Sequence, residues 1–232
     1  MNNVSDISSR LALEILREGN TRFVEGKRLH PYEFLTRAKE TAEHGQRPVA
    51  TILSCSDSRV PLEIIFDQNL GDIFSIRVIG NVCRDSQRAS IEFGVNHLGT
   101  RLCVVLGHTK CGAVTAACTE AELEENIRTL MLSIAPAVKR AQASTGKTGS
   151  EIVEICCVEN VFVQMETILR KSSSLRECVR RGDLMIVGGV YDIESGLVTF
   201  LGPHPDNDEL VGETGECFVR DDSFFAQRRF SE

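Results

Sequence analysis

Two short apolar runs, each leading straight into a polar turn, limit what this chain can fold into. The first, Val49-Ala50-Thr51-Ile52-Leu53-Ser54, leads into Cys55-Ser56-Asp57-Ser58-Arg59. The second, Leu102-Cys103-Val104-Val105-Leu106, leads into Gly107-His108-Thr109-Lys110-Cys111-Gly112. Apolar, β-branched runs of this length suit strands buried on both faces, as in a parallel sheet covered by helices. Parallel strands need crossover connections, so the segments between them must carry helices.

The rest of the pattern agrees. Residues 7–25 place Leu11, Ile15, Leu16 and Phe23 at helical spacing behind Ser8 or Ser9 as N-cap, and a second helix over about 32–44 stops at Gly45. Both precede any strand, so they must pack on a sheet formed later or on another subunit. Pro61 opens a short helix over 62–66, residues 73–78 form a second strand, and Gly80-Asn81 makes a turn. Ser86 caps a helix to Asn96 with Ala89, Ile91, Phe93 and Val95 as its apolar positions. Helices follow from Ala113, over 120–143 and over 151–171, with a short one from Ser173 or Ser174. Strands over 184–190 and 197–201 close around Glu194-Ser195-Gly196. The sequence predicts an α/β, three-layer fold around a mostly parallel central sheet: about four parallel strands plus a C-terminal antiparallel edge strand. With no internal repeat and no low-complexity linker, residues 1–232 read as a single domain. It has an N-terminal helical arm over about 1–45 and a tail over about 203–232, whose Phe218, Phe224, Phe225 and Phe230 suit packing on a neighbour.

With 42% hydrophobic and 25% charged residues, the 232-residue chain can bury a sizeable core. A formal net charge of -7 repels nucleic acid and anionic membrane surfaces. No apolar run approaches the ~20 residues that span a bilayer, and the N-terminus shows no targeting pattern, so the expected location is cytoplasmic. Nine cysteines, odd in number and irregularly spaced, read as thiols in a reducing compartment; Cys83, Cys103, Cys118, Cys156, Cys157, Cys178 and Cys217 are expected to be unbridged.

Function in open α/β sheets collects at the carboxyl ends of the strands, where both polar turns fall. If the two ends face each other, Cys55, His108 and Cys111 offer three donors of the kind zinc prefers, leaving a fourth position for water. Cys111 also opens a helix, whose dipole favours its thiolate. Either turn alone would equally suit a buried thiol and a hydrogen-bonded histidine; two at equivalent strand ends favour the metal. Asp57 and Arg59 could be an ordinary surface ion pair. Beside a metal they have a clearer use, with Arg59 holding Asp57 ionised by a bidentate contact and leaving a carboxylate oxygen free to accept a proton.

Cys55-Ser56-Asp57-Ser58-Arg59 together with His108-x-x-Cys111-Gly112 resembles the β-class carbonic anhydrases. The similarity extends in order through Gly19-Asn20-x-Arg22-Phe23, Gly80-Asn81, Ala89-Ser90-Ile91-Glu92, Glu159-Asn160-Val161 and residues 186–192, covering about 11 to 201. The resemblance implies Cys55, His108 and Cys111 as ligands of one zinc ion per subunit, and Asp57 with Arg59 as catalytic dyad. It implies a substrate pocket built across a dimer interface, with Gln46 donating to bicarbonate and Phe74, Ile79 and Phe93 forming an apolar wall. Gly112 would let backbone approach the metal closely. Phe93 departs from the tyrosine common in the plant-like branch, and from composition alone Phe74, Ile79 and Phe93 read first as core. The implied function is zinc-dependent reversible hydration of carbon dioxide in a cytoplasmic homodimer or homotetramer, the N-terminal helices packing on the partner. Two alternatives stay open: a hydrolase of carbonyl sulfide or carbon disulfide on the same fold, and a non-catalytic zinc-binding homologue with its fourth position filled by Asp57 or another cysteine. The intact Asp57–Arg59 pair argues against the second.

Overall fold

In the computed structural model, which describes residues 7–30 and 34–212, the strands β1 (Ala50–Ser54), β2 (Ile73–Arg77), β3 (Leu102–His108), β4 (Met185–Tyr191) and β5 (Val198–Gly202) form one sheet. Its order is β2-β1-β3-β4-β5. The first four strands are parallel and β5 pairs antiparallel with β4, giving the expected edge. Every residue of β1 and β3 is buried, as their unbroken apolar character requires.

Alternate side chains of the central strands feed two cores. Ile52, Val104, Leu106 and Val187 pack with Ala12 and Leu16 of α1 (Ser9–Val24) and with Ile65 of α3 (Leu62–Ile65). Leu53, Cys103, Val105 and Ile186 pack with Ile91 of α4 (Asp85–Asn96), with Val161, Met165 and Ile168 of α8 (Val153–Lys171), and with Leu175 of α9 (Ser173–Arg180). These are the three layers. A third cluster, built from α5 (Gly112–Cys118), α6 (Glu125–Met131), α7 (Ala135–Thr145) and the start of α8, gathers Val114, Cys118, Ile134, Ala137 and Cys156 around Cys55 and Cys111. It backs the carboxyl ends of β1 and β3.

α1 packs on its own sheet. The Asn20 side chain donates to the carbonyls of Ile65 at 3.2 Å and Gly196 at 2.9 Å, and accepts from the Val198 amide at 2.8 Å. Its buried stripe is Ala12, Leu16 and Gly19, so Leu11, expected on the apolar side, is 52% exposed. A Cβ on Gly19 would stand 1.8 Å from the Phe66 carbonyl oxygen, and glycine is what lets the helix sit this close. α2 (Phe34–His44) is held by Arg37, which donates to Asp72 at 2.8 Å, and leaves Leu35 82% exposed.

Other boundaries differ from the sequence pattern for local reasons. The helical region expected over 120–143 starts only at Glu125, after Glu120 with its left-handed φ of 51°, and is two helices, Pro136 at the second position of α7 starting a new one after residues 132–134. Pro61 is the N-cap of α3 rather than its first residue. Ser172 caps α9, its hydroxyl accepting from the Leu175 amide at 3.2 Å, and α4 begins at Asp85 rather than Ser86. Of the apolar positions expected on α4, Ile91 enters the core while Phe93 is 46% exposed. Cys83, Cys103, Cys118, Cys156 and Cys157 are buried free thiols and Cys178 is a half-buried one. Cys217 and the aromatic tail residues lie outside the described residues. A short α10 (Asn207–Gly212) ends the described chain.

Candidate metal centre

The parallel register that places Ser54 beside Leu106 brings the carboxyl ends of β1 and β3 side by side. Cys55 follows β1 directly. β3 runs to His108, two residues further than its apolar run suggests, and Lys110 in a left-handed conformation (φ 55°) turns the chain so that Cys111 becomes the N-cap of α5. Gly107 lets β3 pass under α8, since a Cβ there would meet Val161 at 2.8 Å. The ligand atoms of Cys55, His108 and Cys111 all lie within 4.8 Å of one another, and all three residues are buried.

Hydrogen bonding fixes the histidine tautomer. His108 Nδ1 is 2.9 Å from the Thr109 carbonyl, which can only accept, so Nδ1 carries the proton and Nε2 offers its lone pair to the cluster. That Nε2 is buried and has no hydrogen-bond partner in the structure. The thiols are electrostatically split. Contact with the Cys111 thiol, then His108 and the Asp57 and Gly80 amides, lowers the Cys55 pKa against the effect of burial; the same contact and burial push Cys111 up. A donor set that holds one thiolate, resists a second and orphans an imidazole nitrogen gains from a dication, so the residues present fit a bound metal.

The loop after β2 completes one side. The Gly80 amide donates to Cys55 Sγ at 3.3 Å, from a left-handed backbone (φ 69°) in the turn Ile79–Asn81. Asn160 Nδ2 on α8 donates to the Gly80 carbonyl at 2.9 Å. Gln164 Nε2 donates to Asn160 Oδ1 at 2.9 Å, while Gln164 Oε1 accepts from the Cys83 amide at 2.8 Å. This buried polar ladder sets where the Gly80 amide points. The sequence marks Gly80 as a turn residue and both Gly80 and Asn160 as parts of stretches similar to the family, but not their contact, because the ladder joins residues 80 apart and leaves no local spacing to read.

Asp57 and Arg59 form a bidentate pair. Arg59 Nε donates to Oδ1 at 2.9 Å, Nη2 to Oδ2 at 2.7 Å, and the Arg59 amide to Oδ1 at 2.9 Å. The guanidinium, helped by that amide and opposed by burial, holds the carboxyl well below the usual carboxylate range. Asp57 Oδ2 lies 4.0 Å from His108 Nε2, at the edge of the donor cluster. Arg59 Nη2 also donates to the Lys110 carbonyl at 3.3 Å, tying the two strand-end turns together.

The remaining sequence-derived residues divide. Ile79, 41% exposed, stands next to Gly80 at the cluster. Phe74 pairs in register with Thr51, roughly 13 Å along β1 from Cys55, and its ring packs on Phe93 with centroids 5.9 Å apart. Gln46 is exposed beyond the amino end of β1, beside Gly71. Gln46, Phe74 and Phe93 are therefore not beside Cys55 of their own chain, and neither ring is fully buried in the core. Gly112 is exposed and a Cβ there would touch nothing, so packing does not require glycine at that position.

A mostly parallel α/β sheet carries, at its carboxyl edge, a Cys-His-Cys cluster that could hold a metal ion and an arginine-clamped carboxylate beside it. A family model described as carbonic anhydrase matches residues 50–198. Carbonic anhydrase 2 of Mycobacterium tuberculosis is 37% identical over 191 residues, covering 80% of this chain and 89% of that protein. The crystal structure of the β-carbonic anhydrase CafA of Aspergillus fumigatus aligns with a TM-score of 0.64 at 30% identity, over 76% of this chain and 90% of that one. A tetrameric β-carbonic anhydrase of Sordaria macrospora aligns at TM-score 0.64 and 25% identity, over 72% and 92%. The chain belongs to the β-carbonic anhydrase family.

Proposed function

We propose that this protein catalyses the reversible hydration of carbon dioxide to bicarbonate and a proton, with one zinc ion per chain held by Cys55, His108 and Cys111. One observation carries the proposal: a buried, unpartnered His108 Nε2 stands among two thiol sulfurs within 4.8 Å, with Asp57 Oδ2 4.0 Å from that nitrogen. Zinc in such a site lowers the pKa of a coordinated water towards ~7 and so supplies the nucleophile, less strongly with two thiolates than with neutral ligands because they cancel the ion's charge.

The chain's own groups direct that chemistry. Asp57, kept ionised by Arg59, can only accept a hydrogen bond at Oδ2, so it fixes the O–H direction of the nucleophile and leaves a lone pair facing the incoming carbon. The Thr109 carbonyl holds the imidazole with Nε2 inward. Ile79 contributes the apolar surface of its own chain, while Gln46, Phe74 and Phe93 of a second copy supply the amide donor for bicarbonate and the apolar wall. The working unit is accordingly a homodimer or an assembly of dimers. The net charge of -7 disfavours nucleic acid and anionic membranes as partners, and among the described residues no helix is long and apolar enough to cross a membrane. Unbridged thiols suit the cytoplasm. Residues 1–232 function as one domain.

The test is stopped-flow carbon dioxide hydration from pH 6.5 to 9 on protein of measured zinc content, with sulfide release from carbonyl sulfide and carbon disulfide assayed beside it. Turnover should scale with zinc and rise towards alkaline pH. A flat profile would contradict the thiolate-rich ligand set, and sulfide release without hydration would move the assignment to the hydrolase. Zinc content with neither activity would make the site non-catalytic.

A further inference from the structure

β2 ends at Arg77, in register with Ser54 of β1. The ladder continues for two more bonds, from the Val78 amide to the Ser54 carbonyl at 3.1 Å and from the Ser56 amide to the Val78 carbonyl at 3.2 Å. The chain then turns away into Ile79–Asn81. From that point β2 has no backbone to offer the turn that carries Cys55 and Asp57. The Arg77 side chain takes over. Its Nε donates to the Cys55 carbonyl at 3.1 Å and its Nη2 to the Asp57 carbonyl at 2.6 Å.

One planar guanidinium thus spans the backbone between a donor of the metal cluster and the carboxylate beside it. We propose that Arg77 is a positioning residue, which fixes the spacing of Cys55 Sγ and the Asp57 carboxylate by bridging the carbonyls of their two residues. Arginine suits the task because its N–H groups diverge in a fixed plane, whereas a lysine ammonium is a single flexible point and satisfies one carbonyl well. Arg77 is exposed, so packing is not its contribution. It works with Arg59 from opposite sides: Arg59 grips the carboxylate, and Arg77 grips the backbone that carries it.

The turnover arm of the test rests on the proposed reaction; the zinc-release arm does not. Arg77→Ala and Arg77→Lys are compared with the parent for zinc content, carbon dioxide hydration and the rate of zinc release to a chelator, each with and without millimolar guanidinium. Arg77→Ala should retain zinc as isolated, lose about 10- to 100-fold in kcat with KM little changed, and release zinc about 10-fold faster. Guanidinium should restore part of both losses in Arg77→Ala and neither alter nor improve the parent; Arg77→Lys should fall between. Parental kcat and zinc release in Arg77→Ala would overturn the proposal, as would losses that guanidinium leaves untouched. If Arg77→Ala does not fold, Arg77→Lys carries the same comparison and parental values there overturn it. If the parent hydrates no carbon dioxide, zinc release decides alone.

Discussion

At position 57 a carboxylate meets the donor cluster through one oxygen and a guanidinium through both, and the two contacts separate its charge from its direction. Asp57→Asn keeps the shape and removes the acceptor character of the cluster-facing atom. It should retain zinc and lose about 100-fold or more in turnover, measured by stopped flow on metal-replete protein; an unchanged rate would remove Asp57 from the mechanism. Because its folded pKa is depressed, Asp57 contributes stability that is fully present above its unfolded value of about 3.9 and is lost as pH falls through the folded value. The stability gap between parent and Asp57→Asn, read from urea midpoints, should therefore narrow from pH 5 to pH 3. A gap that stays constant would mean that the charge plays no part in the pair. That Cys55, His108 and Cys111 come together and that Asp57 pairs with Arg59 is legible in the sequence, since each is a chemically distinctive side chain at a strand end.

At the scale of elements, α8 is both a core helix and the support of the site. Val161, Met165 and Ile168 face the sheet, while Asn160 and Gln164 turn buried amides towards the loop after β2. Asn160→Ala leaves the Gly80 carbonyl without its side-chain donor. It should cost about 1–3 kcal/mol in stability and weaken zinc binding about 10-fold, measured by urea denaturation and chelator competition. Full stability with parental zinc affinity would show that the ladder does not set the Gly80 amide. β1 and β3 are legible because full burial leaves an unmistakable apolar run. Helix boundaries over 120–145 are not, because a left-handed residue and an N-terminal proline break a region whose composition stays helix-compatible throughout.

For the whole molecule, the distribution of the residues proposed for the substrate pocket matters most. Phe93 and Ile79 are 46% and 41% exposed, and Gln46 lies at the other end of β1 from Cys55, so one copy displays the residues of the proposed pocket without bringing them together. Phe93→Glu should shift the protein from dimer or higher assembly to monomer in light scattering after gel filtration, with the zinc content kept and turnover lost. A variant that remains assembled and active would place the interface elsewhere.

The sequence by itself determined the layered α/β class, the parallel strands and the clustering of Cys55, His108 and Cys111 at two strand ends. Each follows from local periodicity or from side-chain chemistry within a few residues. Tertiary structure alone decided that α1 packs on its own sheet, that Phe74 packs at the margin of the core while Phe93 stays half-exposed, that Arg77 reaches the turn after Cys55, and that Asn160 reaches the Gly80 carbonyl. Those outcomes depend on where a chain end or a carbonyl is left without a partner after the sheet has formed, and such a vacancy has no signature in the residues that come to fill it.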